Sequence, residues 1–452
     1  MSAVILFCVL TVLLFVGKMV RLAIPLLQRL YLPSSVVGGL IGLITLCVFR
    51  QHIPAEWVSC VSKVPGFLIN VIFAALFLGA VTPKFSQVIK SALPQLCLGQ
   101  LLAWGQYVVG LGIVGFLLIR FFDIPAAFGN LLEIGFEGGH GTVGGMTEAF
   151  KDFGWEDGVA LGVTVATAGM ILGIVVGMAM VNWALNKGII SSVRTFSDRS
   201  IAERLGLHLD EQKPAAGRQT VLCDSIDSLA WHIALIGIAV LIGYGFLEAL
   251  RYLEICLFPD ASVRIFKGFP LFPLCMIGGI IIQQIAQKLK VNHLIDHGQM
   301  QRLSGTALDY LVVAAVATIN IKAVTDNWLP LLIIILCGTV WNVCMVLFVA
   351  PKIFKDAWFE RAIAEFGQSM GVTATGMLLL RTVDPESKTE APAAFGYKQL
   401  LHEPIMGGGL WTAFALTLVF TVGWKTVWFI SCVMVIIWAI AGVLIWKRNK
   451  KA

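Results

Sequence analysis

The residues best suited to chemistry in this chain of 452 are Glu137–Gly145, EGGHGTVGG, which combine an acid, an imidazole, a hydroxyl and five glycines. Five glycines in the eight positions Gly138–Gly145 cannot make a stable helix, since each costs about 1 kcal/mol relative to alanine. A helix broken there leaves carbonyls at the end of one half and amide N–H groups at the start of the next. The amide end is partly positive and suits a carboxylate; the carbonyl end suits Na⁺. His140 and Thr142 add side-chain polar groups, and a second string, FGQSMGVTATG (Phe366–Gly376), offers Ser369, Gly371, Thr373 and Thr375. The candidate substrate-binding residues are therefore Gly138, Gly139, His140, Gly141, Thr142, Ser369, Gly371, Thr373 and Thr375. Plainer readings stand beside this one: a glycine hinge or close helix contact for the string, and a satisfied polar side chain for His140. The string is not a phosphate loop, because no Gly-Lys-Ser/Thr follows it. His140 with Glu137 could begin a catalytic dyad. No serine or cysteine nucleophile motif and no H-E-x-x-H spacing accompanies them, so the chain does not read as an enzyme.

The surrounding elements must hold this broken backbone in lipid. Side chains are 58% hydrophobic and only 13% charged, against about a quarter charged in a soluble domain. Uncharged apolar runs occupy Ala3–Gly17, Ser35–Phe49, Pro65–Val81, Leu93–Ile119, Val159–Leu185, Leu229–Leu247, Phe269–Ala286, Leu329–Ala350, Pro404–Gly423 and Thr426–Trp446. Another, Ala307–Ile321, holds a single acid, Asp309. At about 1.5 Å rise per residue, roughly 20 residues cross a 30 Å core. The reading is an all-α integral membrane protein of about 11 transmembrane helices. Two segments, Pro125–Phe150 and Trp358–Leu380, are too rich in glycine and threonine to cross as regular helices and read as re-entrant or broken ones. Unwound backbone persists in a membrane only where protein or a wet cavity surrounds it. Ionisable groups there are functional candidates by default. Glu137 is a candidate cation ligand or titrating group, or else a cap for the half-helix that follows. Asp309 and Asn320 complete the candidate ion-binding set. A channel would need a continuous polar ring, and no run shows one.

Lysine and arginine collect in cytoplasmic loops. With the polar segment Asn186–Ser228 inside, loop cations divide 24 inside to 8 outside, Lys398 being counted among the inner ones. The N-terminus is then outside and the C-terminus cytoplasmic. The first run has no basic residue before it and reads as an uncleaved helix rather than a signal peptide. The net charge of +6 suits anionic lipid and needs no nucleic acid. The ten cysteines show no pairing or metal spacing.

An internal echo organises the chain. Pro33, Gly38 and Gly39 precede Pro273, Gly278 and Gly279 by 240 positions, and Phe136 and Gly141 parallel Phe366 and Gly371. Five spans before the polar segment and five after it would lie in opposite orientations. The expected organisation is an N-terminal inverted repeat (1–185), a cytoplasmic linker (186–228), a C-terminal inverted repeat (229–423) and an extra span with a basic tail (424–452).

The strings LPSSVVGGL, GGHGT with the Gly/Ala/Thr span Val163–Gly177, the Ile321–Lys322 stretch and FGQSMGVTATG resemble those of the sodium/glutamate symporter family of bacterial inner membranes. The similarity in order runs from about Leu22 to Phe414. It implies inverted five-span repeats, glycine-rich segments meeting at the substrate site, a homodimer in the inner membrane, and Na⁺-coupled uptake of glutamate or a related small anion by alternating access. No cofactor beyond the coupling Na⁺ is implied. The family's GGHGT falls on Gly138–Thr142, and its second glycine-rich segment on Gly367–Gly376. The chain departs from the pattern at Glu137, where a small residue is expected, at Ser369, Met370 and Val372 in place of a more glycine-rich string, and in its extra final span.

Overall fold

The computed structural model describes residues 3–29, 32–49, 51–80, 85–190, 200–207, 215–259, 266, 269–384 and 388–451. Their regular secondary structure is helical, with no strand among the described residues. In chain order the main helices are α1 (Ala3–Ala23), α2 (Ser34–Val48), α3 (Ala55–Ala75), α4 (Phe85–Phe116), α5 (Leu131–Phe136), α6 (Gly139–Gly145), α7 (Thr147–Asp152) and α8 (Asp157–Asn186). After the polar segment come α9 (Ser228–Leu257), α10 (Phe272–Lys288), α11 (His297–Ala317), α12 (Trp328–Cys344), α13 (Trp358–Val383), α14 (Ala391–His402), α15 (Leu410–Thr421) and α16 (Trp424–Lys451). Among the described residues seven helices are long and apolar enough to cross a membrane: α1, α3, α4, α8, α9, α12 with its continuation to Ile353, and α16. The protein is a multi-pass helical membrane protein. Its remaining helices are shorter or, like α11, more polar.

The helices sort into two bundles. α1, α2, α3, α9, α10 and α11 pack on one another; α4 to α8 pack with α12 to α16. The seam between them runs where α6 meets α3 and α11. Lipid tails are as apolar as leucine side chains, so helices in a bilayer gain by close backbone approach at small residues. Gly38 of α2 lies on the Leu13 carbonyl of α1, and Gly278 of α10 lies on the Ala239 carbonyl of α9. The next residue in each pair exchanges partners. Gly39 meets Val313 and Val316 of α11, while Gly279 meets the Ala74 carbonyl of α3.

Two expectations are corrected here. The run Pro404–Gly423 is not one helix: α15 begins only at Leu410, and Glu403–Gly409 is a break. Three consecutive glycines (Gly407–Gly409), two of them at φ +65° and +101°, exclude a helix there despite the low charge. Lys398, counted with the inner loop cations, is instead fully buried on α14, because an acid on α13 neutralises it.

Candidate functional site

Three interruptions of the second bundle face one another. The first separates α5 from α6, with Gly139 at φ +69°. The second divides α13 at Gly371 (φ −158°, ψ 44°) and Val372 (φ 59°, ψ 174°). The third is Glu403–Gly409. They approach so closely that a Cβ on Gly139 would collide with Cγ1 of Val372, and one on Gly408 with the Thr142 hydroxyl. A Cβ on Gly407 would stand 3.4 Å from Cγ of Glu137.

The breaks border a cavity of about 610 Å³, a size ordinary for small-molecule sites, which run roughly 300–1,000 Å³. Of the candidate residues, Glu137, Gly138, His140, Gly141, Thr142, Asp309, Gly371, Thr373 and Thr375 line it. Gly139 supplies the left-handed turn beside it. Ser369 lies behind the wall: its carbonyl accepts the Gln106 amide (2.6 Å) and the Asn342 amide (3.0 Å), which join α4, α12 and α13. That carbonyl is thus already engaged at the end of the first half of α13. Asn320 stands apart, donating to Asp157 (3.1 Å) and bordering a different cavity with Lys151 and Lys322.

Each cavity acid has its own setting. Glu137 is only 3% exposed. It does not cap the following half-helix; its Oε1 is hydrogen-bonded to Nε2 of His402, the last residue of α14. The direction of this bond follows from a chain of donors. The Trp104 indole can only donate, and it does so to Oε1 of Gln100 (2.8 Å). The Gln100 amide then faces Nδ1 of His402 (3.0 Å) and donates to it. A ring accepting at Nδ1 carries its proton at Nε2 and gives that hydrogen bond to Glu137. Oε2 of Glu137 is buried without a partner. Glu403, half-buried, accepts from the Thr373 hydroxyl (3.0 Å), so the third break is tied to the second. Asp309 reaches the cavity from α11, and Ser35 of α2 lines it too. His140 donates from Nε2 to Thr167 (2.9 Å), whose own proton goes to the Val163 carbonyl. Nε2 is therefore the ring nitrogen that carries a proton. Among the described residues no lysine or arginine lines the cavity.

Two buried carboxylates outside the cavity hold the frame. Glu133, one helical turn before Glu137, accepts from Tyr107 (2.6 Å), Thr412 (2.9 Å) and the Gly407 amide (3.0 Å). Thr412 in turn accepts from the Gly408 amide (3.1 Å), so one acid gathers the glycine break. Glu365 of α13 pairs with Lys398 (3.0 Å), and both side chains are fully buried. Gln95 donates to the same carboxylate (2.9 Å), and Lys398 also donates to Gln368 (3.1 Å). Gly99 makes room for this pair, since a Cβ there would stand 2.6 Å from both partners.

Glu133, Lys398, His402 and Glu403 escaped the sequence reading. The signal lay in HEPIMGGG (His402–Gly409), two ionisable residues and a proline ahead of three glycines, hidden by an otherwise apolar run.

Broken helices meeting at a largely apolar cavity bordered by three acids, between two helical bundles, describe a polytopic membrane protein with a small-molecule site. The model of the sodium/glutamate symporter family matches residues 1–386, and the chain belongs to that family. The match ends before His402 and Glu403, so the third break lies beyond it. No curated protein sequence matches the chain.

Proposed function

We propose that the protein is a Na⁺-coupled symporter for a small anionic amino acid, glutamate or a close relative, working by alternating access. The observation that carries this reading is a cavity walled by Glu137, Glu403 and Asp309 with no lysine or arginine among its described lining residues. Two like unit charges 4 Å apart repel by about 4 kcal/mol at an effective dielectric of 20. An anion therefore enters such a cavity only with cations, which is the physical content of coupling. Oε2 of Glu137, buried and unpartnered, is the first ligand for the coupling ion, and Asp309 a second. The amides opening the second half of α13, at Thr373–Thr375, receive a substrate carboxylate, as helix N-termini do.

The same reading takes residues 1–185 and 229–423 as inverted five-span repeats joined by the linker 186–228, with 424–452 added, eleven spans in all. The exchange of partners by Gly39 and Gly279 supports it, because each reaches into the other half's third helix. The moving part is the second bundle. Its seam against the first presents Gly144 to Pro65 and Gly145 to Ile69 and Phe272, a face without side chains over which α6 can slide. A homodimer in a bacterial inner membrane completes the proposal by family resemblance, and the distribution of loop cations supports a cytoplasmic C-terminus.

The test is uptake of labelled L-glutamate by proteoliposomes holding the full chain. An inward Na⁺ gradient drives accumulation and replacement of Na⁺ by K⁺ abolishes it. Glu137→Gln raises the Na⁺ concentration needed for half-maximal uptake. Uptake equal in K⁺ and Na⁺ would refute the coupling.

A further inference from the structure

The cavity contains one place where an anion and a helix N-terminus adjoin. Glu403 sits in the third break, and Thr373 opens the second half of α13; the Thr373 hydroxyl bonds the Glu403 carboxylate at 3.0 Å. From Thr373 the helix runs on to Val383, long enough to present N–H groups with partial positive charge at its start. An α-amino acid carries its carboxylate and its ammonium on one carbon, so its head group needs a positive and a negative partner side by side. Asp309 cannot supply this pairing because it belongs to α11 of the other bundle. Glu137 is engaged otherwise: His402 holds one oxygen, and the other, without a protein partner, is the coupling ion's ligand in the reading above. That orphaned oxygen, on a residue lining the same cavity, is an independent sign that a cation completes the site.

We infer that Glu403 with Thr373 forms the ammonium-recognition point of the carrier, so that α-amino acids are selected over dicarboxylates of the same length lacking the amino group. This rests on the transport reading above and sharpens it: Glu403 is a specificity determinant, while Glu137 serves the coupling ion. The groups around Glu403 agree with the division. Lys398 and His402 precede it on α14, but Lys398 is neutralised by Glu365 and His402 donates to Glu137. Neither side chain lines the cavity, so neither takes the place of an ammonium beside Glu403.

The experiment measures Na⁺-driven L-glutamate uptake in proteoliposomes of the full chain, with glutarate and 2-oxoglutarate as competitors and labelled substrates. A hydrogen bond to a charged group contributes enough for about a 10- to 100-fold change in affinity. The parent should prefer glutamate over either analogue by at least that factor. Glu403→Gln should reduce apparent glutamate affinity about 10- to 100-fold, leave glutarate unchanged or improved, and leave the Na⁺ dependence of the remaining uptake as it was. Equal preference for glutamate and glutarate in the parent overturns the inference, and needs no variant to fold. So does a Glu403→Gln protein that loses both substrates alike or changes only in its Na⁺ requirement. A parent that takes up neither compound with Na⁺ refutes the transport reading itself and carries this inference down with it, a result distinct from equal uptake of both.

Discussion

Replacing Glu133 by alanine should loosen the third break and cost the protein a measurable part of its stability. The carboxylate accepts three hydrogen bonds, from Tyr107, Thr412 and the Gly407 amide, the first two buried and the third partly so. Side-chain hydrogen bonds inside membranes average about 0.6 kcal/mol and reach about 1.7. Three of them give about 2 kcal/mol at the mean and about 5 near the maximum. Glu133→Gln should be milder, about 1 kcal/mol. Its amide oxygen still accepts from Gly407 and Thr412, and the Tyr107 hydroxyl can turn to accept from the new amide nitrogen. The assay is the thermal midpoint in detergent, read as the surviving monodisperse fraction after heating. Order is the decisive outcome: parent highest, Glu133→Gln slightly lower, Glu133→Ala lowest. In addition, Tyr107→Phe should destabilise the parent yet add nothing in the Glu133→Ala background, because the bond it removes is already gone. A Glu133→Ala protein that melts with the parent, or full additivity with Tyr107→Phe, would refute the anchoring role.

Gly139→Ala should abolish uptake: the left-handed backbone costs an L-residue about 1–2 kcal/mol, and the new methyl collides with Val372. Val372→Ala in the same chain should restore part of the activity, read in proteoliposomes; no restoration would mean the collision is not the cause. Lys398→Met should lower the thermal midpoint strongly, since removing one partner of a buried ion pair costs about 3–5 kcal/mol. Combining it with Glu365→Gln should recover most of that loss, and a double variant as unstable as the sum of its singles would exclude the pairing.

The membrane character and two of the three breaks were legible because they depend on composition: lipid excludes charge, and glycine clusters exclude helix. The positions of Gly139 and Gly371 follow from that alone. The third break was hidden because Gly407–Gly409 sits inside an apolar stretch whose low charge satisfies the same criterion as a spanning helix. Lys398 was misplaced for a related reason. A lysine near a predicted helix end usually faces water, and only the packing of α14 on α13 brings Glu365 against it. The link between Glu137 and His402 spans 265 positions, a separation that no local pattern records. Ser369 reads as a substrate-binding residue by its place in the second glycine-rich string, whereas its carbonyl makes the contacts that matter for the frame.

The exchange of glycine contacts between α2 and α11, and between α10 and α3, bears on how the chain is made. Neither half can close its own bundle, since the partner for Gly39 is translated more than 270 residues later, at Val313 and Val316. The first three helices lack these partners until α9 to α11 have left the ribosome. Assembly is thus a late event in biosynthesis, and a truncated first half expressed alone is left with a glycine face and nothing to seat on it.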